Sequence, residues 1–147
     1  MIGQTFSHYR ILARLGAGGM GEVYEARHVE IQKRVAIKIL NSDHVEDEET
    51  LLRFHQEARI AGNLGHVNIC EVLDYGLAET GQPFLVMEYL EGINLKDLIR
   101  REGRLPVDRA LAILDQVLFA LSEAHANGII HRDLKPENVF LAQKKGQ

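Results

Sequence analysis

Eight consecutive residues, His131, Arg132, Asp133, Leu134, Lys135, Pro136, Glu137 and Asn138, place an acid, a base and an amide on one short stretch. An aspartate and an asparagine five positions apart, with a lysine between them, suit phosphoryl transfer. Asp133 can accept a proton from an attacking hydroxyl, and Lys135 can neutralise charge developing on the transferred group. The amide oxygen of Asn138 is a hard ligand for magnesium. Pro136 fixes its own φ and drives Lys135 out of the α region, which predicts a loop reached after the preceding helix has ended.

A second cluster lies near the N-terminus: Leu15, Gly16, Ala17, Gly18, Gly19, Met20 and Gly21. Residues 9–15 and 22–27 alternate between polar and apolar on either side of it, which predicts a hairpin with a glycine-rich tip. Glycines at 16, 18 and 21 let the backbone take φ > 0 and approach an anion, turning N–H groups toward phosphate oxygens. An ordinary flexible hairpin has the same composition, so the tip alone leaves both readings open. A dinucleotide-binding turn shares the glycine spacing but runs into a helix, and the period-two residues from Val23 onward exclude it.

Residues 35–40 form a β-branched run, Val-Ala-Ile-Lys-Ile-Leu, with Lys38 embedded among apolar neighbours. A buried ammonium without a partner is costly, so Lys38 must either reach solvent or meet an anion. Leu51, Phe54, Ala58 and Ala61 then recur at helical spacing over residues 50–64, and Glu57 shares the arc of Phe54 and Ala61. It can be a solvated helix residue or the anion that Lys38 requires. The acidic run 46–49 suits the entry of that helix.

Short strands are predicted near residues 72–75 and 84–88, separated by a polar turn over 76–82. They complete an antiparallel sheet of five strands. Residues 95–101 predict a short helix and 106–127 a longer one, with Pro106 in its first turn and Gly128 at its C-terminal end. Along the longer helix Leu111, Leu114, Val117, Leu118 and Leu121 share one arc. At ~1.5–3 kcal/mol for each buried side chain, that arc commits roughly 7–15 kcal/mol and needs neighbours, of which the chain supplies few. Residues 139–141 predict a last strand.

The 147 residues, 46% apolar and 26% charged, suit one folded core. A net charge of -4, with Lys and Arg dispersed, offers no basic stripe to a nucleic acid or an anionic membrane. No apolar run approaches the ~20 residues that cross a bilayer, and the N-terminus lacks the apolar core of a signal peptide, so a cytoplasmic location is expected. Cys70 is the single cysteine. It allows no internal disulfide, and its apolar surroundings predict a small buried side chain.

Taken together, the stretch 131–138, the strand holding Lys38, the glycine-rich tip and the segment 87–92 (Met-Glu-Tyr-Leu-Glu-Gly) occur in an order and spacing that resembles the N-terminal half of a protein kinase domain. The style is that of the bacterial serine/threonine kinases of eukaryotic type. The resemblance runs from about Tyr9 to Leu141. It implies an α+β, protein-kinase-like fold: a five-stranded antiparallel N-lobe sheet with one helix (residues 9–88), a hinge (89–92), and the first helices and catalytic loop of a helical C-lobe (93–147). It implies ATP and Mg2+ as cofactors and a protein bearing Ser or Thr as substrate. Leu15, Gly16, Ala17, Gly18, Gly19 and Gly21 would cover the phosphates, while Val23 and Ala36 would lie above the adenine and Phe140 below it. Backbone groups of the hinge segment, with Glu88 and Leu90, would meet the base, and Met87 would line the back of the pocket. Lys38, paired with Glu57, would orient the nucleotide. Asp133 would act as catalytic base, Lys135 would contact the γ-phosphate and Asn138 would hold magnesium. His131 would be a packed structural residue, and Arg132 would dock a phosphorylated loop. Val67 stands where the family usually has proline.

The chain ends before the family's DFG motif, whose aspartate binds magnesium, so the residues given are expected to be weak or inactive alone. The alternative reading is a non-catalytic nucleotide-binding or interaction module on the same fold.

Overall fold

The computed structural model describes residues 2–17, 21–41, 47–131 and 134–143, the side chains of Ala17, Glu57, Ile60 and Ala61 excepted. The chain divides into two compact units, residues 1–65 with 70–89, and residues 66–69 with 90–147.

In the first unit, strands β1 (Thr5–Phe6), β2 (Tyr9–Ala17), β3 (Gly21–His28), β4 (Arg34–Leu40), β5 (Val72–Leu77) and β6 (Pro83–Glu88) form one antiparallel sheet in the order β1-β2-β3-β4-β6-β5. The expected five strands become six. The addition, β1, has only two residues, too short for any alternation to show. It pairs Thr5 with Arg10 and Phe6 with Tyr9. Register shifts interrupt β2 between Ile11 and Ala13 and between Arg14 and Gly16, and β5 between Val72 and Asp74.

Because side chains alternate across a strand, the sheet has two faces with different duties. One carries Ile11, Tyr24, Ala26, Val35, Ile37, Ile39, Phe84 and Val86, all buried, with Phe6 and Tyr9 packed against them. The Phe6 ring meets Phe84 edge-on at 5.0 Å between centroids. Gly76 was expected to open a turn but lies inside β5 opposite Phe84, whose ring occupies the space a side chain would need, with Cζ 2.8 Å from an added Cβ.

The other face carries Leu40 and Leu85 and receives helix α1 (Glu48–Asn63) through Phe54, with Leu51, Ala58, Val72, Tyr75 and Met87 around them. Leu51, Phe54 and Ala58 recur at helical spacing, which points one stripe of α1 at the sheet. Asp47 caps the helix, accepting from the backbone N of Glu49 at 3.2 Å and from Thr50 Oγ1 at 2.6 Å. Glu48 and Glu49 occupy the first turn, where the helix dipole favours negative charge. Tyr75 Oη lies 3.1 Å from His55 Nε2, tying α1 to β5, and burial pushes the Tyr75 hydroxyl pKa up. Cys70, expected buried, is half-buried, because it lies in the irregular backbone before β5 and not in the strand.

The second unit contains a two-stranded ribbon, β7 (Gly92–Asn94) with β8 (Phe140–Ala142), and helices α2 (Leu95–Glu102) and α3 (Val107–Ala126). Asn94 caps α2 by accepting from the backbone N of Asp97 at 2.8 Å. Leu98 is the buried anchor of α2, and Gly128 (φ 76) follows the end of α3 in the left-handed region that favours glycine. The His66 ring packs on Phe119 of α3 at 4.9 Å, and Asn68 Nδ2 donates to Gln116 Oε1 at 3.0 Å. Ile113 and Ala124 are buried, whereas Leu111, Leu114 and Leu118 of the predicted arc are exposed at 60%, 53% and 61%. Among the described residues no helix is long and apolar enough to cross a membrane.

Candidate functional site

Lys38 is half-buried at the centre of β4, opposite Val23 of β3 and Leu85 of β6. Ala36, two residues earlier and therefore on the same face, stands opposite Glu25 and Met87. The sheet thus presents Val23, Ala36, Lys38 and Met87 on one surface, an ammonium set among apolar side chains. This is also the face that receives α1, and Glu57 belongs to that helix. Its side chain lies outside the described residues, so the expected pairing with Lys38 is not placed.

The β2–β3 hairpin reaches the tip through Leu15, Gly16 and Ala17 on one strand and Gly21 on the other, while Gly18 and Gly19 lie outside the described residues. Leu15 is exposed. Tyr24 Oη donates to Glu22 Oε2, which pushes the tyrosine pKa up, and Arg14 Nη2 lies 3.4 Å from Glu22 Oε1. The Arg14–Glu22 pair joins the two strands at the base of the tip, and the Tyr24 hydroxyl holds Glu22 within β3.

Neither Gly16 nor Gly21 has the positive φ expected of it. Gly21 is required for another reason. It pairs with Leu40 so closely that an added Cβ would overlap the Ile39 carbonyl oxygen, with Ile39 C at 2.9 Å and Leu40 Cα at 3.2 Å. Gly21→Ala should therefore cost about 1–3 kcal/mol in urea unfolding, as overpacking against backbone does. Gly16→Ala, with nothing within 4 Å of the new atom, should stay within about 0.5 kcal/mol.

Met87 and Glu88 end β6, Tyr89 closes the first unit and Leu90 belongs to the second. The Glu88 backbone N donates to Glu71 O at 3.0 Å, and Glu88 Oε1 accepts from the Glu71 backbone N at 2.9 Å.

In the second unit Lys135 is extended (φ -155, ψ 163), the conformation expected before a proline, and Pro136–Asn138 form a single 3-10 turn. The Asn138 backbone N donates to Lys135 O at 2.9 Å, which holds the lysine and the amide on one tight turn. Glu137 is tied to α2 by Lys96 Nζ at 3.1 Å, and the Leu95 backbone N donates to Val139 O at 2.7 Å. Lys135 is half-buried and Asn138 exposed. Phe140, partly exposed, stands opposite Asn94 in the ribbon. His131 is half-buried, while Arg132 and Asp133 lie outside the described residues.

The exposed Asn138 offers one hard amide oxygen, which suits an ion that takes its other ligands from phosphate oxygens and water, as magnesium does. Sequence reasoning put Tyr89 in the hinge without a partner and passed over Arg34. A lone arginine at a strand start gives no signal of its own.

The protein kinase domain profile matches residues 9–147. The chain is 44% identical over 147 residues to the serine/threonine-protein kinase pkn3 of Myxococcus xanthus, covering 99% of this chain and 27% of that protein. It is 42% identical over 142 residues to PrkC of Bacillus subtilis, also a serine/threonine-protein kinase, covering 96% and 22%. The chain thus spans about a quarter of the length of these curated relatives. Among solved structures, the PknI kinase domain of Mycobacterium tuberculosis superposes with a TM-score of 0.81 at 38% identity, over 97% of this chain and 58% of that one. A strand lysine on an apolar sheet face, a lysine–proline–asparagine turn and the match along residues 9–147 agree: the chain belongs to the protein kinase domain family.

Proposed function

We propose that this chain carries the nucleotide-binding and catalytic-loop parts of a serine/threonine protein kinase. In this reading the full-length protein moves the γ-phosphoryl group of ATP to protein Ser or Thr hydroxyls in the cytosol, and the residues given are weak or inactive alone. The observation that carries the reading is the half-buried Lys38 on the face shared by Val23, Ala36 and Met87. A positive side chain on a largely apolar face suits a nucleotide, whose phosphates match the charge and whose flat base matches the apolar neighbours.

Each residue then has a part. Val23 and Ala36 pack on one side of the adenine and Phe140 on the other. Met87, Glu88 and Leu90 line the segment that meets the base edge, and the strand ends from Leu15 to Gly21 cover the phosphates. Lys38 binds the α- and β-phosphates and is oriented by Glu57. As the substrate oxygen bonds to the γ-phosphorus, the bond from that phosphorus to the β,γ-bridging oxygen breaks, ADP departs and the hydroxyl proton passes to Asp133. Lys135 offsets the charge on the γ-phosphoryl oxygens. Asn138 would hold magnesium, which when bound neutralises charge on the phosphates.

The test is transfer from Mg-ATP by the full-length protein to a mixed panel of Ser, Thr and Tyr peptides, followed by phosphoamino-acid analysis. Phosphoserine and phosphothreonine formed at about 1–100 per second are expected. ATP bound without transfer, or phosphotyrosine alone, overturns the reading.

A further inference from the structure

Arg34, the first residue of β4, meets both Glu25 and Tyr89. Its Nε donates to Glu25 Oε1 at 2.9 Å, with Nη2 2.7 Å from the same oxygen, and its Cζ lies 3.8 Å from the centroid of the Tyr89 ring. A planar guanidinium can do both, because its donors point outward in the plane and leave a face for an aromatic ring. Glu25, whose side chain is only 14% exposed, stands opposite Ala36, on the sheet face that presents Val23 and Lys38. The charge that fixes Arg34 is therefore built into the same face.

Tyr89 follows Glu88 directly as the chain leaves β6. Glu88 is held by its reciprocal hydrogen bonds with Glu71, ahead of β5, and Tyr89 by the guanidinium at the start of β4. Strands β5 and β4 flank β6 on opposite sides in the sheet. Successive residues are thus tied from both flanks, at the place where an edge-on base would need backbone groups that do not move.

We propose that Arg34, fixed by Glu25, is a positioning residue for nucleotide binding: its stack on Tyr89 holds the backbone of Glu88 and Tyr89 in the arrangement that receives the base. This rests on the kinase reading above. The stack holds the ring face and takes no part in the transfer itself, so its loss weakens ATP binding and leaves the chemical step alone.

The experiment uses the full-length protein with Arg34→Ala, Tyr89→Leu, the double variant and Tyr89→Phe. Amide hydrogen exchange is followed across residues 86–90 without nucleotide, beside KM for ATP and kcat. Arg34→Ala and Tyr89→Leu should each speed exchange there and raise KM for ATP about two- to five-fold, the size of one exposed cation–π contact, with kcat unchanged. The double variant should exceed neither single one, because both remove the same contact. Tyr89→Phe keeps the ring and should behave as wild type. Unchanged exchange in Arg34→Ala, faster exchange with an unchanged KM, or additive single effects each overturn the proposal. A wild-type protein without affinity for ATP overturns it together with the kinase reading, and is told apart because it fails before any substitution is made.

Discussion

Lys38→Met should lower kcat/KM for ATP-dependent phosphorylation about 10²- to 10³-fold while leaving the fold intact, the loss seen when one preorganised charge is removed from a transition state. Methionine has nearly the length of lysine and no branch at Cβ, so it fills the same half-buried track between Val23 and Leu85. Only the charge departs. Lys38 is only half-buried, so the melting temperature should change little. Steady-state kinetics and thermal unfolding on one preparation check this together. A rate that falls only in step with the melting temperature would make Lys38 a structural residue and remove the main support for a nucleotide here. Asp133→Asn is the complementary case: a loss of about 10²- to 10⁴-fold in kcat, as for other general bases, with ATP affinity retained.

The second large effect concerns the scaffold. Phe54 is fully buried between α1 and the sheet, against Leu40 and Leu85. Phe54→Ala should destabilise the protein by about 3–5 kcal/mol, the range for truncating a buried aromatic ring. That corresponds to a fall on the order of 10 °C in melting temperature. Activity should drop further than stability accounts for, because α1 also carries Glu57. Leu52, on the same helix but 67% exposed, supplies the control: Leu52→Ala should stay within about 0.5 kcal/mol. Equal losses at the two positions would mean that α1 does not dock through the Leu51, Phe54 and Ala58 stripe.

Much of this architecture was legible because it is written in periodicity. The alternation through residues 22–27, the β-branched run around Lys38 and the three- and four-residue spacing from Leu51 to Ala58 each specify an element locally. The failures share a cause. The two residues of β1 are too few to show a period, and they become a strand only because Arg10 and Tyr9 lie opposite them. Gly76 reads as a turn residue until the ring of Phe84, eight positions later, is seen to occupy its side-chain space. Gly21 was identified for a backbone angle that it does not adopt, and what excludes a side chain there is the carbonyl of Ile39 on the neighbouring strand. In the candidate site, Lys135, Pro136 and Asn138 were readable because one turn joins them. Arg34 and Tyr89 were not, since 55 positions of sequence separate two residues that meet face to face.

The register shifts in β2 and β5 bear on how copies of the protein behave in concentrated solution. These two strands carry the exposed borders of the sheet, since β1 covers only the first residues of β2. A foreign strand extends a sheet by matching a regular ladder, and each border loses its regularity within a few residues. Strand exchange and fibre growth are thereby disfavoured by backbone geometry, independently of any partner that covers the leucines of α3.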